Sequence, residues 1–181
     1  MIRVKGKGTF VAEDRVDTPV TLLGSFTDAL RSRKIPFSMT VLEQVIAPGP
    51  SHVVTALKLP AGAQVVRLRR LAMVRDEPAA ILDVHLDAAR FGGLASMPGF
   101  ETGRSLYRTL EDQFGTRVGT AHSTLEVVRC DEDQADLLGV SLGTPALLVS
   151  SVTDDADGRP IEAADVLYRG DRFIFRLDSQ R

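Results

Sequence analysis

The sequence predicts an α+β fold: one antiparallel sheet carrying helices, built from two similar strand-helix-strand-strand units. Three observations predict it. Six stretches read as strands (38–46, 64–75, 79–86, 118–129, 146–153 and 161–168), with the period-two alternation plainest in 64–75 and 161–168. The same order of elements occurs twice along the chain. Marks recur at a near-constant offset. Leu42-Glu43 returns as Leu125-Glu126 after 83 residues, and Pro78 returns as Pro160 after 82. Five residues beyond each proline stands an Asp-Val pair, Asp83-Val84 and Asp165-Val166.

Each element has a local reason. Arg3, Lys5 and Lys7 alternate with Val4, Gly6 and Gly8 ahead of Thr9-Phe10-Val11-Ala12, so residues 1–12 read as a short basic β-ribbon. Residues 13–20 are polar, contain Pro19 and read as a linker, which leaves 21–181 as the compact domain. Leu22, Phe26, Ala29 and Leu30 fall on one helical face, placing a helix start at Ser25 or Thr27. After the strand 38–46, Pro48-Gly49-Pro50 breaks the chain and Ser51 is expected to cap a helix over 52–58. Strands 64–75 and 79–86 then form a hairpin around Arg75-Asp76-Glu77-Pro78. An insert without a counterpart, 87–117, carries Gly92-Gly93, Pro98-Gly99 and a helix over 104–114 with Leu106, Leu110 and Phe114 aligned. The second unit opens with strand 118–129. Asp131-Glu132-Asp133-Gln134 reads as a capping box, Gly139 as the helix stop, and Asp157-Gly158 as the last hairpin turn. The helices are expected on one face of the sheet.

Composition narrows the function. The chain has 181 residues with 22 Lys+Arg and 24 Asp+Glu, a formal net charge of -2. That balance argues against a protein that coats nucleic acid through general basicity. Apolar residues make up 44%, enough for a packed core and against disorder. No apolar run approaches the roughly 18 residues of a membrane span, and Met1-Ile2-Arg3-Val4-Lys5 lacks the apolar stretch of a signal peptide. The single cysteine, Cys130, excludes an internal disulfide framework, so a reducing cytoplasmic setting is expected.

The chemistry-bearing residues follow from alternation. In 64–75, Val66, Leu68, Arg70, Ala72 and Val74 share a face, which sets Arg70 among small and apolar neighbours. An unpaired buried guanidinium costs several kcal/mol, so Arg70 needs an anion. In 161–168, Glu162, Ala164, Val166 and Tyr168 share a face. Either Arg70 and Glu162 pair as a structural bridge, or Arg70, Glu162 and Tyr168 line a cavity for a small polar ligand. Ser105 and Tyr107 flank the core residue Leu106 at a helix start, as a cap and a core-edge phenol or as ligand-facing groups; Phe26-Thr27 at the first helix start has the same two readings. No catalytic constellation, P-loop or G-x-G-x-x-G stands in the sequence. His52, His85 and His122 lack metal-ligand spacing, so no metal and no cofactor is expected.

Taken together these pieces resemble the GntR superfamily of bacterial transcription regulators, in its HutC-like branch. Lys5-Gly6-Lys7-Gly8-Thr9-Phe10-Val11-Ala12 is similar to the wing of a winged helix-turn-helix. Residues 21–181 are similar to the UTRA effector-binding domain. The motifs are Ser25-Phe26-Thr27, Arg70 with Pro78 eight residues on, Ser105-Leu106-Tyr107, Leu137-Leu138-Gly139-Val140, and Pro160-Ile161-Glu162 leading to Tyr168-Arg169-Gly170-Asp171-Arg172-Phe173. The resemblance implies a chorismate-lyase-like fold and a ligand pocket lined by Phe26, Thr27, Arg70, Ser105, Tyr107, Glu162 and Tyr168. It also implies a small-molecule effector, a homodimer, and operator DNA reached through a winged-helix domain of which this chain carries only the wing, with Lys5 and Lys7 as DNA-contacting remnants. Two departures bear on the effector. Where sugar-phosphate-sensing relatives carry a second arginine this chain has Ala72, and where they carry a glutamate it has Leu82. A smaller or more apolar effector with one acidic group is therefore expected. Two alternatives stand beside the sensor: a chorismate-lyase-like enzyme on the same fold, and a dimerisation module with a vestigial pocket.

Overall fold

The computed structural model describes residues 2–4, 8–10, 15–19 and 25–176. Its centre is a six-stranded antiparallel sheet of β4 (Phe37–Pro48), β5 (Gln64–Val74), β6 (Glu77–Asp87), β7 (Val118–Arg129), β8 (Pro145–Asp155) and β9 (Pro160–Arg169), in the order β4-β5-β6-β9-β8-β7. Each unit is a strand, a helix and a hairpin: β4, α2 (Ser51–Ala56), β5 and β6, then β7, α5 (Glu132–Leu138), β8 and β9. The units join through β6 and β9, with Asp83 opposite Asp165 and Val84 opposite Ala164. The repeated Asp-Val pairs thus meet across the seam between the two halves.

Local chemistry explains the joints. Arg75 and Asp76 both have positive φ, 53° and 64°, the backbone of a two-residue hairpin loop that matches strand twist. Asp131 and Gln134 form the expected capping box on α5, and Gly139 ends that helix at φ 63°. Ser51 departs from expectation: it is the first residue of α2, Pro50 occupies the cap position, and no side chain caps the helix. Proline's fixed φ closes the approach without a hydroxyl.

The helices occupy both faces of the sheet, not one. α2 and α5 cover the face that carries Val65, Ile81, Ala163 and Leu167. α1 (Phe26–Ser32), α3 (Ala88–Phe91), a 3-10 turn (Gly92–Ser96) and α4 (Leu106–Phe114) cover the other. The cause lies in β6, whose residues are buried on both sides of the pleat, whereas β5 alternates buried with half-buried residues. The insert therefore contributes its own layer, packing Phe91, Leu94, Leu106 and Leu110 on Val66, Leu68, Val84 and Leu86.

Two short ribbons complete the described chain. β1 (Ile2–Val4) and β2 (Gly8–Phe10) pair antiparallel, as expected of the basic ribbon. The stretch read as linker carries β3 (Val16–Pro19), which pairs in parallel with β10 (Phe173–Arg176). Val16 is buried with Phe173 and Leu30. No helix of the described residues is long and apolar enough to cross a membrane.

Candidate functional site

Cross-strand register builds the floor of a cavity on the α1/α4 face. One row runs Arg70, Leu82, Val166, Val149; the next runs Leu68, Val84, Ala164, Ser151; the third ends in Glu162 and Thr153. Ala164 in the middle is too small to fill the space above it. The ceiling is α1 with Phe26, Thr27 and Leu30, and the start of α4 with Leu106 and Tyr107. About 120 Å³ within it is open to the centres of water-sized molecules, room for several waters or a small metabolite.

Six of the seven residues expected at a binding site line this one cavity: Phe26, Thr27, Arg70, Tyr107, Glu162 and Tyr168. Ser105 does not. Its Oγ caps α4 by accepting from Arg108 N at 3.3 Å, and donates to Asp28 Oδ2 at 2.8 Å. It ties α4 to α1 behind the ceiling. Lys5 and Lys7 lie outside the described residues. Leu82 is part of the floor, whereas Ala72 is buried in the adjoining core.

Arg70 and Glu162 do not pair. Their backbones stand two strands apart and four residues out of step, roughly 10 Å by 13 Å from strand geometry, beyond the reach of a bridge. The structural-bridge reading fails on that register. Glu162 is 4% exposed and accepts hydrogen bonds at Oε2 from Tyr107 Oη (2.7 Å) and Thr153 Oγ1 (3.0 Å). Burial pushes its carboxyl above the ordinary carboxylate range, against the opposing pull of those two hydroxyls and of Arg70. Burial also raises the Tyr107 and Tyr168 phenols.

Arg70 is 3% exposed, and its Nε and Nη1 are buried without a hydrogen-bond partner. Its guanidinium sits 5.6 Å from the Phe100 ring centroid, a partial substitute for an anion. Desolvation lowers its pKa to about 10, so it stays cationic at neutral pH. A buried cation with unused donors beside a hollow is the electrostatic condition for holding an anion.

Sequence reasoning missed the wall. Phe173 and Phe175 of β10 close the cavity with Phe26 and Tyr168. Tyr168 meets Phe173 edge-on at 4.9 Å and Phe175 edge-on at 5.0 Å. The signal was present, since Phe173 and Phe175 alternate around Ile174 as one face of a strand. Thr153 was missed too, although it stands opposite Glu162.

The other face holds a more open hollow, lined by all three histidines, His52, His85 and His122, with Asp165. Register separates His85 on β6 from His122 on β7 by two intervening strands. Among the described residues no group of His, Cys, Asp or Glu is arranged to hold a metal.

Comparison with known proteins agrees with this architecture. A family model described as the UTRA domain matches residues 32–174. The chain is 26% identical over 175 residues to the HTH-type transcriptional repressor NagR of Bacillus subtilis, covering 97% of this chain and 71% of that protein. Among solved structures it is similar to the effector domain of PhnF from Mycobacterium smegmatis, with a TM-score of 0.85 at 25% identity over 92% of this chain and 100% of that one. It is also similar to a GntR-family transcriptional regulator from Enterococcus faecalis, with a TM-score of 0.71 at 25% identity over 78% of this chain and 100% of that one.

Proposed function

The chain belongs to the UTRA family, and from that premise we propose that it is the effector-sensing module of a GntR/HutC-type transcriptional regulator, in which a small organic acid in the Arg70 cavity controls DNA binding. One observation carries the reading: the buried Arg70 guanidinium, two of its nitrogens without a hydrogen-bond partner, at a cavity whose floor and wall are largely apolar and aromatic, with Arg33, Glu162 and a few hydroxyls as its other polar groups. The ligand that fits has a single anionic group for Arg70, an apolar body for Leu82, Val166 and the ring wall, and a donor or acceptor for the Tyr107–Glu162 end. On the strand, Ala72 stands where a second arginine is expected; the other guanidinium at the cavity is Arg33, at the end of α1 and not beside Arg70 on β5.

The remaining parts follow from the family. Residues 1–12 serve as the wing of a winged helix, 13–20 as the connection, and 21–181 as the sensor. The working form is a cytoplasmic homodimer that reads operator DNA through its winged-helix heads. The cavity's groups favour recognition over turnover: Glu162 is occupied by two hydroxyl donors, and Arg70 is free to bind but is no base. A ligand acts here by binding two domain arrangements unequally, with about 1–3 kcal/mol of coupling.

Thermal-shift screening of organic acids and sugar phosphates tests this. A ligand at 100 times its Kd stabilises by about 2.7 kcal/mol. Stabilisation by monocarboxylates that Arg70→Ala abolishes is the expected result. A shift that survives Arg70→Ala, or turnover of the acid, refutes the assignment.

A further inference from the structure

The ribbon of β3 and β10 joins the cavity wall to the N-terminal stretch. The inner side of β10 supplies Phe173 and Phe175, both of which line the cavity. The two rings stack at 6.2 Å, and each packs edge-on against Tyr168. The backbone of β10 holds β3, with Phe173 opposite Val16, Ile174 opposite Asp17 and Phe175 opposite Thr18. Val16 N donates to Arg172 O at 2.6 Å, and the Val16 side chain is buried in the same cluster as Phe173, with Phe175 and Tyr168 packed against it.

This ribbon is weak by construction. It has two strands, four residue pairs and parallel pairing, the less stable arrangement per residue. A two-stranded ribbon is marginal without a packed face. Its packed face is the cavity wall, so what fills the cavity helps decide whether β3 stays fastened. The near end of β10 is fixed independently. Arg169 donates to Pro78 O at 3.0 Å and to Leu138 O at 3.1 Å, and Arg172 pairs with Glu77. A change at the wall therefore displaces residues 173–176 relative to an anchored base.

We propose that β10 couples the cavity to the N-terminal stretch: a ligand seated under Phe173 and Phe175 fastens the β3–β10 pairing, and an empty cavity leaves it loose. The proposal rests on the reading of the cavity as a ligand site and adds the element through which occupancy is felt.

Hydrogen–deuterium exchange on the intact 181-residue chain tests it in two arms, reading the amides of residues 16–18 against those of β5. Without any ligand, Phe175→Ala trims the wall and removes no backbone bond. About tenfold faster exchange at 16–18, with β5 unchanged, is expected; unchanged exchange at 16–18 overturns the proposal. With saturating benzoate as probe, exchange about tenfold slower at 16–18 and slower in α1 is expected. Slowing in α1 with 16–18 unmoved overturns the proposal. Benzoate that slows neither removes the ligand reading on which the proposal stands, while Phe175→Ala still reports whether wall and ribbon are coupled.

Discussion

Tyr107 donates its hydroxyl to Glu162 Oε2 at 2.7 Å, joining a helix of the insert to a strand of the second unit. Thr153 Oγ1 lies 3.1 Å from the same phenol and 3.0 Å from the same carboxylate oxygen, closing a buried triangle. Such a group is worth most as a set, because removing one member leaves a buried acceptor under-served. Tyr107→Phe keeps the ring and removes one of the two donors to Glu162. We expect a loss of about 1–3 kcal/mol in urea denaturation.

Glu162 should also give the stability curve a pH dependence with a definite sign. Burial raises its carboxyl above 4.5, its ordinary value. The native state then holds a proton that the unfolded chain has already released, so stability declines as pH climbs from the ordinary value to the raised one. Above the raised value the penalty is complete. Glu162→Gln removes the titration and lets Tyr107 and Thr153 donate as before. Urea midpoints measured from pH 4 to 8 should fall less with pH in Glu162→Gln than in the parent; parallel profiles would show that Glu162 is not the source.

Most of the frame was legible because it follows from short-range rules. The offsets between Leu42-Glu43 and Leu125-Glu126, and between Pro78 and Pro160, gave the two units. Alternation put Arg70 and Glu162 on the cavity face, and the structure keeps them there. Whether those two residues pair was not legible, since it depends on the β5–β6 and β6–β9 registers, which no local pattern fixes. The cover of the second face was hidden for a similar reason. A strand such as β6, buried on both sides, reads as a continuous apolar run and does not say what lies on each side. Ser105 shows the limit for side chains: a serine at a helix start serves a cap or a ligand, and its bond to Asp28 on α1 depends on tertiary packing that no local pattern gives.

Gly119 is required by close approach. It lies in the irregular stretch between Val118 and Ala121 on β7, where a Cβ would come within 2.5 Å of the Asp155 carbonyl oxygen. Backbone cannot swing aside as a side-chain tip does. Gly119→Ala should cost about 1–3 kcal/mol in chemical denaturation, the range of an overpacked site. Gly62→Ala, where nothing lies within 4 Å of the added carbon but φ is 77°, separates steric crowding from backbone strain.

Arg70 carries the sharpest prediction, because stability and recognition should move in opposite directions. The free protein holds a guanidinium with two buried nitrogens unpartnered, eased by the Phe100 ring. Exchanging a buried ion pair for apolar residues is often neutral or stabilising by about 1–4 kcal/mol, and an unpartnered guanidinium carries the desolvation penalty without the pairing gain, so its replacement by an apolar side chain of similar length should stabilise as well. Arg70→Met should therefore raise the melting temperature of the ligand-free chain while erasing every anion-dependent shift. Thermal denaturation with and without a carboxylate panel reads both effects in one series. A variant that melts lower than the parent would mean that the arginine is already satisfied in the free protein. In that case the cavity holds no electrostatic vacancy for a ligand to fill, which makes this the measurement that bears most directly on the sensor assignment.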